Sequence, residues 1–163
     1  MRAVPALAIL LTAAGVAACS GDAAAPRAPR PEASRFLGTW SVVSGVQRVS
    51  CPTLGVSASA PAADDVSWSE GDGTELEQPL PRSPCSIVAD VRGHEAVGRP
   101  AECTFAGDDR GTWRWVVRGY TFALSVDGAV GEEHFSGSHA FALDGKQESC
   151  EVERTATYRR RGR

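Results

Sequence analysis

From Thr112 to Tyr158, apolar and polar residues alternate in three runs separated by turn-forming residues. A period of two places one face of a strand on a core and the other in solvent. In the run 112–118, Trp113, Trp115 and Val117 share a face; in the run 120–126, Tyr120, Phe122, Leu124 and Val126 do. A turn at Arg118-Gly119 sets Val117 opposite Tyr120, Trp115 opposite Phe122 and Trp113 opposite Leu124, so the apolar faces coincide. The third run puts Phe135, Gly137, His139 and Phe141 on one side. A turn at Gly145-Lys146 then pairs Phe141 with Cys150, His139 with Val152 and Phe135 with Ala156. The pattern predicts an antiparallel β-meander.

Upstream the alternation is interrupted more often. Phe36 to Val43 opens with Gly38-Thr39-Trp40, and apolar parity then shifts from Trp40 and Val42 to Val49 and Cys51, which predicts a bulge at Gly45. Pro52 to Ala63 holds small residues without a period and predicts a loop long enough to lie over a barrel mouth. The runs 66–69 and 74–77 flank Glu70-Gly71-Asp72-Gly73 and predict a hairpin. Pro79, Pro81 and Pro84 break the chain before the run 85–91. Folding that run about His94 onto 97–105 sets Val91 across from Val97, Ile87 across from Ala101 and Cys85 across from Cys103. The whole is an all-β domain over 35–159, a meander of eight or nine strands with no helix, followed by a basic tail, 160–163.

The segment before the domain has a different character. Met1-Arg2 leads into an apolar run from Ala3 to Ala18, shorter than the roughly 20 residues that span a bilayer, with small residues at its exit. A charged start, short apolar run and small-residue exit describe a cleaved export signal, residues 1–18. Val16-Ala17-Ala18-Cys19 resembles the lipobox of bacterial lipoproteins. The resemblance implies cleavage before Cys19, acylation of its thiol and new amino group, and attachment to a membrane of the cell envelope. Two or three acyl chains suffice for stable anchoring, at about 0.8 kcal/mol per buried methylene. Ser20, rather than Asp, after the cysteine favours the outer membrane in a host that has one. Residues 19–34 are rich in Ala, Pro and Arg and form the expected tether, which extended would reach ~45 Å from the bilayer.

Charge and cysteines narrow the picture further. The formal net charge of -3 includes arginines of the signal and tether, so the domain is mildly acidic and nothing points to nucleic acid. Arg159-Arg160-Arg161-Gly162-Arg163 is the exception, readable as a solvated end or as a contact for anionic lipid. Beyond Cys19 there are Cys51, Cys85, Cys103 and Cys150, an even set in an exported chain, which predicts two disulfides. The hairpin register pairs Cys85 with Cys103 and leaves Cys51 for Cys150. None of the four lie at zinc-ligand spacing, and no metal or cofactor is implied.

Candidates for catalysis do not converge. His94 falls in a turn, while His134 and His139 face opposite ways on one strand. Ser136 and Ser138 lack the strand-to-helix elbow of a hydrolase nucleophile. The acidic groups at Asp64-Asp65, Glu70 with Asp72, Asp108-Asp109 and Glu132-Glu133 fall at expected turns, where carboxylates are solvated. The expectation is a protein that is not an enzyme. The aromatic residues Trp113, Trp115, Phe122 and Phe135 point to one interior, where they either fill the core or line a pocket for an apolar ligand.

The Gly38-Thr39-Trp40 opening, the consecutive antiparallel strands and Arg154 on the inward parity of the last strand resemble the lipocalin superfamily. That resemblance implies a closed barrel in which Trp40 closes the floor, Arg154 packs across it, and the interior takes an apolar small molecule or lipid. The overall layout also resembles small lipoproteins of myxobacteria, with which no activity is associated. A different class remains open beside it. Small disulfide-bonded barrels of the bacterial metalloprotease-inhibitor type share the Gly-x-Trp opening and use an N-terminal arm to bind a protease. A purely structural surface lipoprotein is the third reading.

Overall fold

A computed structural model of the chain describes residues 31–71, 75–106, 111–143 and 146–161. The expected signal, Cys19 and the tether as far as residue 30 lie outside the described residues. The described chain forms a one-turn helix α1 (Pro31–Ser34) and the strands β1 (Gly38–Cys51), β2 (Val56–Pro61), β3 (Val66–Glu70), β4 (Leu76–Pro79) and β5 (Ser86–Arg92). These are followed by β6 (Glu95–Gly98), β7 (Ala101–Ala106), β8 (Thr112–Leu124), β9 (Val130–Leu143) and β10 (Lys146–Arg160). All neighbours pair antiparallel, in a meander whose last strand returns to the first.

Two long strands shape the barrel. One edge of β1 bonds to β10 along its length, while the other is shared by β3 at Gly38–Trp40 and β2 at Val46–Cys51. In the same way β8 gives one edge to β9 and divides the other between β7 at Thr112–Val117 and β6 at Tyr120–Ala123. At the Trp40 end the ring β1-β3-β4-β5-β6-β8-β9-β10 therefore closes completely. At the other end β2-β1-β10-β9-β8-β7 is an open trough whose edges are β2 and β7. The disulfide Cys51–Cys150 pins β1 to β10 within the trough. Cys85–Cys103 ties the start of β5 to β7 and holds the segment 80–84 beside the gap.

The closed end is filled by aromatic rings. Trp40, Phe36 and Phe122 are wholly buried, with the edge of Phe122 against Trp40 at 5.2 Å, Trp68 at 6.0 Å and Phe36 at 6.5 Å between ring centres. Trp40 donates from Nε1 to the Phe36 carbonyl at 2.8 Å, satisfying the one polar atom of the indole. Each such ring removed from water contributes ~1.5–3 kcal/mol. Ala33 is buried too, so the end of the expected tether is part of the fold, and α1 stoppers the barrel.

Several expectations are corrected here. Arg118-Gly119 is not a turn: β8 runs through it, with Arg118 as the extra residue of a bulge between Val117↔Gly137 and Gly119↔Ser136. A tight turn and a bulge both switch the inward parity, so the pattern fits either. Tyr120 consequently opposes Phe135 and Trp115 opposes His139. The β9–β10 register differs by two residues, with His139 across from Cys150 and Ala156 across from Glu133, because only residues 144 and 145 separate the paired Leu143 and Lys146. The slip is even, so every side chain keeps its face.

The turn at His94 is also tighter. Gly93 at φ +62° leads a two-residue connection that sets Val91 across from Ala96. After Pro100 the chain leaves β5 altogether, and β7 pairs with β8. The Cys85–Cys103 bridge is as expected, but it spans strands that are not neighbours. The bulge in β1 falls at Val43 instead of Gly45; Gly45 serves a close approach, since a Cβ there would lie 2.6 Å from the Thr155 carbonyl oxygen. Pro52 to Ala63 is a 3-10 turn (Pro52–Leu54) followed by the exposed edge strand β2. β2 and the division of the expected run 97–105 into β6 and β7 add two strands, the unbroken β8 removes one, and the described residues form ten instead of eight or nine.

Candidate functional site

Because the rings fill only the closed half, the trough keeps a hollow. A cavity of about 240 Å³ lies between the sheet and the β4–β5 connection, walled by Val49, Leu80, Trp115, Phe135 and Val152 and reached by Gln47, Asp64, Arg82, His139 and Arg154. A second hollow of about 510 Å³ adjoins it through shared Pro81, Arg82, Trp115 and His139, and continues past Trp113, Phe105 and Pro84 to solvent. Pro81 and Pro84 keep the connection out of any ladder. It holds itself by Leu80 N–H donating to the Cys85 carbonyl at 2.8 Å and Cys85 N–H to Ser83 Oγ at 3.2 Å. Arg82 has the left-handed φ of 58°, unusual for a residue with a side chain, and stands at the rim of both hollows.

The long wall is a continuous aromatic surface. His139 lies nearly parallel to Trp113 at 5.8 Å and to Phe141 at 5.7 Å, and tilts against Trp115 at 5.2 Å. Phe135 meets Trp115 edge-on at 6.4 Å. Partial burial lowers the His139 pKa below its ordinary value, keeping the ring neutral near pH 7. Its Nδ1 is buried and has no hydrogen-bond partner among the described residues.

A buried polar layer separates the hollow from the filled half. Arg154, 7% exposed, donates from Nη2 to Glu133 Oε1 at 2.7 Å, and Tyr158 donates its hydroxyl to Glu133 Oε2 at 2.7 Å. Tyr120 donates to Gln78 Oε1 at 2.5 Å. Burial, reinforced by the Glu133 charge, drives both phenols far above their ordinary pKa, so they remain donors. Burial disfavours the Arg154 charge, yet Glu133 outweighs it and the guanidinium stays protonated. Arg154 Nε, however, is buried without a partner among the described residues. Its guanidinium lies 5.8 Å from the Phe135 ring centre and forms the cavity floor.

The expected site residues divide accordingly. Trp113, Trp115 and Phe135 line the hollows, whereas Phe122 is sealed in the filled end. Trp40 does sit at the barrel floor, but the cation over it belongs to Arg160, 5.0 Å from the ring centre, and not to Arg154. Trp40 pairs with Arg160 in the β1–β10 ladder, while Arg154 faces Gln47 seven residues further along β1. Cys51–Cys150 and Cys85–Cys103 are bonded as expected, and Cys19 lies outside the described residues. Arg160 belongs to β10, and Arg161 bonds Ser41 and Asp65 at 2.5 Å, so this part of the basic end is docked on the barrel.

His134 points outward and His139 inward, and among the described residues no group of three acidic, histidine or cysteine side chains could hold a metal. Glu133 was expected to be solvated at a turn; it is instead 1% exposed within β9. Its parity with Phe135 was the available signal. Comparison of the chain with protein-family models, curated proteins and solved structures gives no match.

Proposed function

We propose that the protein is a lipoprotein anchored in the cell envelope through Cys19, whose lipocalin-like barrel binds an apolar small molecule or lipid in the open trough. The observation that carries this reading is the division of the interior into a packed end and a hollow end walled by Trp115, Phe135, Val49 and Val152, with a solvent-open extension past Trp113. Such partly enclosed apolar hollows with a few polar groups are the usual form of a small-molecule site. The protease-inhibitor reading draws less support, because Ala33 and Phe36 of the N-terminal segment are packed into the barrel instead of standing free as an arm. The binding reading is tested on the full chain carrying Cys19→Ala, with a neutral, environment-sensitive naphthylamine dye. Saturable dye fluorescence and lipid retained in native mass spectrometry are expected, and absence of both refutes it. Anchoring is tested separately by metabolic labelling with an alkyne fatty acid, which should mark the wild type and not Cys19→Ala.

A further inference from the structure

The chemistry of the cavity floor, taken with the reading of the trough as a binding site, identifies the polar end of the occupant. Arg154 is more than nine-tenths buried and lines the hollow; its Nη2 is committed to Glu133, and its Nε has no partner among the described residues. A buried donor on a charged group loses its hydration and gains nothing until an acceptor is supplied. The chain's own nearby carboxylate is not free to turn: both Glu133 oxygens already accept, one from Arg154 and one from Tyr158. His139, which also lines the cavity, has a buried Nδ1 that likewise lacks a partner among the described residues.

The charges that reach the cavity are Arg154 at the floor and Arg82 and Asp64 at its lining. An amine head would meet two guanidinium groups and find only Asp64. A hydroxyl would satisfy Arg154 Nε but draw no charge assistance. A carboxylate matches the guanidinium fork. Apart from Gln47, the remaining wall of Trp115, Phe135, Val152, Val49 and Leu80 is dominated by apolar side chains.

We infer that the trough receives a carboxylate amphiphile head first, with the acid at Arg154 and the apolar body laid along Trp115 towards Trp113 and the mouth. The test is displacement of the neutral naphthylamine dye from the full Cys19→Ala chain by decanoate, decanol and decylamine. Decanoate should displace the dye at a concentration about tenfold lower than either of the others, a ratio equivalent to ~1.4 kcal/mol. Equal displacement by all three overturns the inference while leaving the site itself in place. Failure of the dye to bind removes the site and the inference together.

Arg154→Met combined with Glu133→Gln, which removes both charges at once, should abolish the preference for decanoate over decanol and decylamine. Arg82→Ala should retain most of the preference. Loss of preference in Arg82→Ala alone, with the double variant unaffected, would place the acid at the rim and overturn the assignment to Arg154.

Discussion

The Arg160 guanidinium lies over the Trp40 indole, 5.0 Å from its centre, while its Nη2 donates to the Leu37 carbonyl at 3.2 Å and to the Arg35 carbonyl. One side chain from the last strand thus clamps the first strand and the segment leading into it. Arg160→Ala is expected to lower unfolding stability by about 1–3 kcal/mol, the sum of a desolvated cation–π contact and charge-assisted hydrogen bonds. Arg160→Lys should recover less than half, because an ammonium does not lie as a plane over the indole. Urea denaturation of the three proteins measures both; an unchanged midpoint in the alanine variant would refute the clamp.

The Glu133–Arg154 pair makes a sharper energetic prediction. Both side chains are at least nine-tenths buried, so removing one partner strands the other charge away from water. Glu133→Gln should cost ~3–5 kcal/mol, and Arg154→Met in the same background should restore most of it. A double-mutant cycle by chemical denaturation reads the coupling directly. Additive losses would show that the pair is not energetically linked.

Sequence pattern alone does not separate Arg154 from Arg160 as the partner of Trp40. Arg154 and Arg160 are six residues apart and share the inward parity of β10. Alternation reports which face a residue occupies and is silent on how far along the barrel axis it sits. The same limit separates Phe122, in the packed end, from Phe135, at the hollow. Inward and outward faces are therefore legible through β8, β10 and β9 from Phe135 onward, though not at Glu133, and they survive a register slip of two residues. What could not be read locally was whether a parity switch at Arg118 meant a turn or a bulge, since that depends on the partner strand. The departure of β7 from β5 was hidden for the same reason. Both disulfide pairings are as expected, although the hairpin register that suggested Cys85–Cys103 does not form, and Cys51–Cys150 is the remainder of that choice. Arg82 and the proline-rich connection were missed as cavity walls because nothing periodic marks a loop that folds back over a sheet.

The disulfides should differ in weight. Cys51–Cys150 closes a sequence separation of 99 and Cys85–Cys103 one of 18. On the loop-entropy scale these correspond to about 4.7 and about 3 kcal/mol. Cys51→Ser with Cys150→Ser is accordingly expected to lose more stability than Cys85→Ser with Cys103→Ser in thermal or urea unfolding. Dye binding should respond in the opposite order, because Cys85–Cys103 holds the segment that covers the hollow. The reverse ranking in either measurement would contradict these roles.

His139 gives the hollow a dependence on acidity. Burial depresses its pKa in the folded protein, so the unfolded chain takes up the proton first as pH falls. Stability is therefore full above about 6.5, the unfolded value, and declines as pH drops through it until the folded-state imidazole also protonates. His139→Phe, which preserves ring contact with Trp113 and Trp115, should flatten the change in urea midpoint between pH 7.5 and 5.5. An identical slope in wild type and variant would exclude His139 as its source.

The barrel is laced by hydrogen bonds all the way round at one rim only. A wall built like that can splay at its free rim while the laced one stays shut, since no ladder bond joins β2 to β7 in the described sheet. Under the proposed binding function, loading and release would require bending of two edge ribbons and the proline segment between them, not melting of the shell. Amide exchange should accordingly be fast at the free edges of β2 and β7 and slow where β1 meets β3, so a guest's residence time would be tuned at a rim that contributes little to holding the molecule folded.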